Sequence, residues 1–501
     1  MLILKNDLIE VINSEFTENE QGVNMIKKLN TDENRIPDAI RLSELDFPNP
    51  FYEGLQYNAP ARGVWNIVHT GMLIPESHQV YVCAQGCLRG VILTAAEMND
   101  MQRMSWVALR ESDMWNGEME RRVIEGTAHI IEKLKERIES GEDKTLKLPK
   151  CVLIYLSCMH MFEGCDFNII TDELSEMYPD IDFVECFMIP TMRKTMSPDG
   201  MMKISLYKAV KKQEKDENLV ALVGSNLPFD KESDVCELIK MAGRNIWDIA
   251  DCESYEDYLK LGSAPLMISY LSVADASCKQ MARRFENEWE RMLLRFDEEK
   301  LEADLLRLGE KLGLCDQVNI AGEKDAVRSF IEKSRSDAYE ALDRAHEIIG
   351  DTPIAIDYTA FPYIIELAEL LTKHGFNVTR LYSDGFPADE KDAFERLKKS
   401  KPDIMVYPTN EPAMRFAARE NHEERIDTAA TDVTDEKILA IGQKAAYFTN
   451  TSYFVDIVEG GGMYGYKAIV KLAGLMTEAY QKPKDTKKVI SHKGFGCESC
   501  L

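Results

Sequence analysis

Short apolar runs alternate with longer amphipathic segments along most of the chain. VYV at 80–82 and VLIYL at 152–156 are β-type runs, each ending in a glycine-containing loop. EMERRVIEGTAHIIEKLKERIES at 118–140 instead repeats its apolar residues at helical spacing, through Val123, Ile130, Ile131 and Leu134. The pattern predicts strands at 151–156, 181–187, 218–224, 245–250, 265–271, 353–358, 376–382 and 403–407. It predicts helices at 118–140, 169–177, 201–212, 231–241, 275–293, 361–373 and 389–399, with a last strand–loop–helix over 444–480. Strands alternating with helices of roughly 10–15 residues imply parallel, doubly wound sheets.

The series divides into three such units around a central cleft. An irregular arm with short helices fills 1–57 and closes on a Pro- and aromatic-rich loop; the units follow at 58–215, 216–296 and 351–484. Residues 297–350, helical and strongly charged, read as a connector, and 485–501 as a tail. In sheets of this kind ligands sit beyond the carboxyl ends of the strands.

Composition narrows the function. A chain of 501 residues exceeds one ordinary core, and a formal charge of −26 argues against nucleic-acid binding, which needs a basic face. No run approaches roughly 18 consecutive apolar residues, so no membrane span is expected, and the N-terminus lacks a signal-peptide pattern. A cytoplasmic location follows. There thiols stay reduced, so twelve cysteines are not expected to form disulfides. Cys151, Cys186, Cys236, Cys252, Cys278 and Cys315 read as buried, unpaired residues.

Four other cysteines cluster past strands. Cys83 and Cys87 lie in HQVYVCAQGCLRG, and Cys158 and Cys165 in VLIYLSCMHMFEGCD. Soft thiolates drawn from two loops suit an iron–sulfur cluster, with Gly86 and Gly164 giving the backbone freedom to approach it. Another metal, or four ordinary thiols, remains open on spacing alone. Cys497 and Cys500 in the terminal CESC offer a further pair, able to close a redox disulfide or to bind metal. GGGMYGY at 460–466 is either a packing turn or a loop that aims backbone N–H groups at an anion. His78 and His160, beside the cysteine loops, are structural or are proton donors.

In order, these pieces resemble the component 1 family of nitrogenase-like oxidoreductases over about 58–482. APARGVW and VYVCAQGC stand where the family has an R-G-C segment and a strand ending in G-C. DMWNGEMERRVIEG, LSCMHMFEGCD and Tyr464-Gly465-Tyr466 match three later family segments. The resemblance implies that Cys87 and Cys158 ligate an interfacial iron–sulfur cluster, [4Fe–4S] or related. The first family cysteine is Val64 here, and Cys83 and Cys165 are extra thiols able to replace it. The places that anchor the iron–molybdenum cofactor fall near Leu271 and at Tyr464, with neither anchor present, so that cofactor is not expected.

The resemblance thus implies a reductase subunit that takes low-potential electrons from an ATP-dependent iron protein. It implies a homodimer, or a heterodimer or tetramer with a related subunit, and a small-molecule substrate in the cleft. His160 and Tyr464 are the candidate proton donors. A scaffold for cofactor assembly and a cluster-free small-molecule-binding protein are the alternatives.

Overall fold

A computed structural model describes residues 39–48, 51, 67–141, 144, 146–189, 196–314, 326–411, 414 and 437–486. Val64, Cys315, Cys497 and Cys500 lie outside the described residues, as does most of the 1–57 arm.

Three mainly parallel sheets carry the fold. From the arm comes one short strand, β1 (Ile40–Arg41). The first sheet contains β2 (Ser77–Ala84), β3 (Met104–Leu109), β4 (Cys151–Ser157) and β5 (Asp182–Met188), in the order β3-β2-β4-β5. The second contains β6 (Leu219–Leu222), β7 (Asn245–Asp248), β8 (Leu266–Ser269) and β9 (Glu288–Arg291), in the order β7-β6-β8-β9. The third contains β10 (Ile354–Asp357), β11 (Val378–Tyr382), β12 (Met405–Tyr407), β13 (Leu439–Ile441) and β14 (Phe454–Val455), with β1 added antiparallel to β12. All other pairings are parallel. Three doubly wound α/β units are therefore present, as the periodicity predicts.

Because successive side chains of a strand point to opposite faces, each central strand feeds two cores. Val80 and Val82 of β2 face the helices Met119–Ser140 and Phe167–Met177, whereas Tyr81 and Cys83 face the second unit. On β4, Val152, Ile154 and Leu156 join the former core, and Cys151, Leu153 and Tyr155 the latter. Strand β6 repeats the device: Ala221 packs toward the first unit, Val220 and Leu222 toward the third. The second sheet is thus sandwiched, and its two faces bind the neighbouring units into one body.

The helix predicted at 118–140 spans Met119–Ser140 and ends where Gly141 turns left-handed, at φ 68°. Helices Glu298–Lys311 and Ala326–Ile349 fill the described part of the charged 297–350 stretch. Their apolar stripes, through Leu301, Leu305, Val327 and Leu342, enter the core shared by the second and third units. The expected helix at 275–293 stops at Phe285, and β9 takes over. Strand β9 is an edge strand whose acids are paired from the helix that follows it: Glu290 with Arg307, and Glu288 with Lys311 at 2.8 Å.

Candidate functional site

Strands β2 and β4 are parallel neighbours in register, Val82 opposite Leu156, so both loops leave the same edge of the first sheet. From β2 the chain enters a 3₁₀ turn, Gln85–Cys87, and then the helix Leu88–Glu97. From β4 it enters the short helix Cys158–Glu163, with Ser157 as its cap. Cys83, Cys87 and Cys158 come together at this edge. Burial first, and then the thiols of Cys87 and Cys158, push the Cys83 thiol up to about 12. Cys83 is fully buried, Cys158 half-buried and Cys87 exposed, so the three form a graded path from core to surface.

Cys165 lies elsewhere. It packs with Val80, Val82 and Ile154, on the face of the sheet opposite that of Cys83. Burial, followed by the charges of Glu120 and Glu163, raises its thiol to about 11. Gly164 adopts φ 68° at the end of the helix and so meets the conformational need read from the sequence. Gly86 does not: a side chain there would meet open space, and its φ is not left-handed.

His160 is fully buried beside Cys158. Its Nδ1 accepts the backbone N–H of Ser157 at 3.1 Å, while Nε2 has no partner among the described residues. Burial lowers its pKa to about 4, so the ring is neutral near pH 7. His78 occupies the other end of β2, bonded through Nε2 to Ser105 Oγ at 2.8 Å. Tyr464 is 1% exposed, and its hydroxyl has no partner among the described residues. The backbone N–H that opens the helix Gly465–Gln481 is engaged by the protein itself, since Lys467 N–H donates to Asp234 Oδ2 at 3.0 Å. GGGMYGY is accordingly a packing turn. Gly462, at φ 76°, lies against the Pro228 carbonyl, where no side chain fits.

A cleft of about 370 Å³ opens between the second and third units, lined by Ser272, Arg291, Tyr363, Pro387, Ala388 and Asp389. Tyr363 donates to Asp389 Oδ2 at 3.1 Å and lies beneath the Arg295 guanidinium. Arg291 pairs with Asp275 at 2.8 Å. Ser272 follows directly on Leu271, one of the family positions named above, whereas neither His160 nor Tyr464 lines this cleft. Its residues are drawn from four separated stretches of chain and carried no sequence signal.

Thiolates in this arrangement fit part of an iron–sulfur ligand set. Among the described residues no three His, Cys, Asp or Glu side chains are placed to hold a metal ion by themselves. A cluster here would therefore need ligands beyond these residues, and the exposure of Cys87 leaves room for them. Trp115 (80% exposed) and Phe162 (79%), with Met161, are exposed on the short helices that follow β3 and β4.

The family model described as "Nitrogenase component 1 type Oxidoreductase" matches residues 68–473. Among solved structures, one titled "Nitrogenase Cp1 at pH 6.5" superposes with a TM-score of 0.58 at 13% identity, covering 86% of this chain and 94% of that one. Another, "Nitrogenase Cp1 at pH 5", gives 0.50 at 11% identity, covering 88% and 93%. No curated protein is significantly similar in sequence. Among the described residues no helix is long and apolar enough to cross a membrane.

Proposed function

Because the chain belongs to the nitrogenase component 1 type oxidoreductase family, we propose that it is a subunit of an iron–sulfur reductase. An ATP-dependent iron protein would supply low-potential electrons for reduction of a small molecule. The observation that carries this reading is the convergence of Cys83, Cys87 and Cys158 at the ends of two adjacent parallel strands.

Cys87 and Cys158 would hold the cluster, with Cys83 the nearest further thiol. When bound, the cluster would accept and store electrons at low potential. The chain's own contribution is the environment. Cys83 lies on the same face of β2 as Tyr81, in the apolar core that holds the stacked rings of Tyr81 and Tyr155, 4.3 Å between centroids. The exposed Cys87 leaves the outer side open to a second subunit, identical or related, which would complete the ligand set. The cleft bordered by Ser272, Arg291 and Tyr363 would receive the substrate.

Anaerobic purification followed by iron and acid-labile sulfide analysis tests the reading. A brown protein containing both is expected. A colourless protein that stays free of iron after anaerobic reconstitution would overturn it.

A further inference from the structure

Three consecutive residues, Pro387, Ala388 and Asp389, supply much of the third unit's side of the cleft. They follow β11 and lead into the helix Lys391–Ser400. The far end of this stretch is fastened from within: Asp389 Oδ2 accepts from Tyr363 Oη at 3.1 Å, and the Asp389 carbonyl accepts from Lys300 Nζ at 2.9 Å. The near end is fastened by the N-terminal arm. Phe386 N–H donates to the Pro48 carbonyl at 3.0 Å. The Phe386 ring lies nearly parallel to that of Phe47, 6.3 Å between centroids, within the range of favourable ring pairs. Phe394, on the helix that follows, completes the triangle at 5.3 Å from Phe47 and 5.8 Å from Phe386.

The arm grips the third unit unevenly. At its root, Ile40 and Arg41 pair with β12, and the N–H groups of Leu42 and Ser43 donate to the Ile404 and Pro402 carbonyls at 2.8 and 3.1 Å. Leu42 and Leu45 are buried there, and Lys398 Nζ donates to the Leu45 carbonyl at 3.0 Å. At its tip, Phe47 is half-buried and Pro48 exposed, and the hold on Phe386 is one ring contact and one hydrogen bond. A segment with few buried contacts opens at low cost while better-packed neighbours stay closed. The tip therefore lets go before the root, and what it releases is the start of the cleft wall.

We propose that the arm is a strap whose tip, Phe47–Pro48, sets the width of the cleft. With the tip seated, Pro387 and Ala388 are fixed opposite Ser272 of the second unit; with it lifted, they move and the cleft widens. Phe47 does not line the cleft and is a positioning residue, acting through Phe386. That the opening admits substrate rests on the reading of the cleft proposed above; the motion itself does not.

Pulsed electron paramagnetic resonance on the full chain tests the strap, with nitroxides at positions 272 and 388 carried on p-acetylphenylalanine so that the native cysteines stay unmodified. A single narrow distance distribution is expected for the chain with its arm unaltered, and for Phe47→Tyr, which restores the ring. Phe47→Ala is expected to lose the narrow distribution and gain longer distances. Arg103→Ala, which weakens the fold in the first unit, should keep the narrow distribution and so separates the strap from a general loss of stability. Circular dichroism verifies the fold of each variant. An unchanged distribution in Phe47→Ala, a broad one with the arm unaltered, or equal broadening in Arg103→Ala would overturn the proposal. Iron and sulfide measured in the same samples report on the cluster separately: iron-free protein with the expected distances would sink the reductase reading and leave the strap standing.

Discussion

Asp234 Oδ2 accepts the backbone N–H of Lys467 at 3.0 Å, across 233 positions of sequence. A carboxylate from the second unit thereby caps the first turn of the third unit's last helix, where an external anion would otherwise be welcome. Gly465 makes this contact possible. It sits at φ 81°, and a β-carbon there would collide with the Asp234 carboxylate.

Gly465→Ala combines left-handed strain with that collision, and is expected to cost about 2 kcal/mol or more. Asp234→Ala should cost about 1–2 kcal/mol through the lost cap, and Asp234→Asn less. Denaturant unfolding of the three variants checks the order.

Anaerobic metal analysis of cysteine variants separates the thiols. Cys87→Ala and Cys158→Ala are expected to lose most of the iron, and Cys83→Ala a substantial part. Cys165→Ala, on the other face of the sheet, and Cys236→Ala, in a distant core, should keep it. Equal loss in Cys165→Ala would mean that the two faces communicate in a way their packing does not provide.

Stability should depend on Glu459 below neutrality. Its carboxyl sits at about 7 in the folded protein, raised by burial first and then by Asp199, with Lys203 opposing. An unfolded glutamate releases its proton near 4.5. Between these values the folded state holds the extra proton, so stability falls as pH rises from about 4.5 to about 7 and levels above. Glu459→Gln should flatten this part of the profile in thermal melts, leaving the dependence of the same sign contributed by Asp199, whose carboxyl burial also raises.

Arg103 fastens the start of the first sheet. It donates to the carbonyls of Met72, Ile74 and Ser77 at 3.1, 2.5 and 3.0 Å, and pairs with Asp100 at 2.8 Å. Lysine lacks the planar fork, so Arg103→Lys is expected to recover little of the roughly 3 kcal/mol that Arg103→Ala removes. Equilibrium unfolding of both variants measures the difference.

How much of this is written locally can be judged from particular residues. The unbroken apolar run Val80–Cys83 is a local signal, and it announces a strand buried on both faces. The grouping of Cys83, Cys87 and Cys158 follows because strand ends meet at one edge of a parallel sheet. Cys165 shares that argument in the sequence, yet a helix intervenes, and its turns carry the thiol to the opposite face. Strand β9 was hidden for another reason. EWER looks like polar helix until Arg307 and Lys311, on the helix that follows it, fold back to neutralise its acids. The buried hydrogen bond from Lys203 to Asn226 has no local mark, because two units supply its partners and Lys203 stands in MMKISL like any helical lysine.

One further consequence lies in the pairing of Ile40 with Val406. The strand that finishes the edge of the third sheet leaves the ribosome hundreds of residues before the strand it covers. During synthesis that edge partner must wait, unpaired, through the appearance of both earlier units. The last sheet therefore closes only when Ile40–Arg41 returns to it across more than three hundred residues, and its edge is completed late in folding.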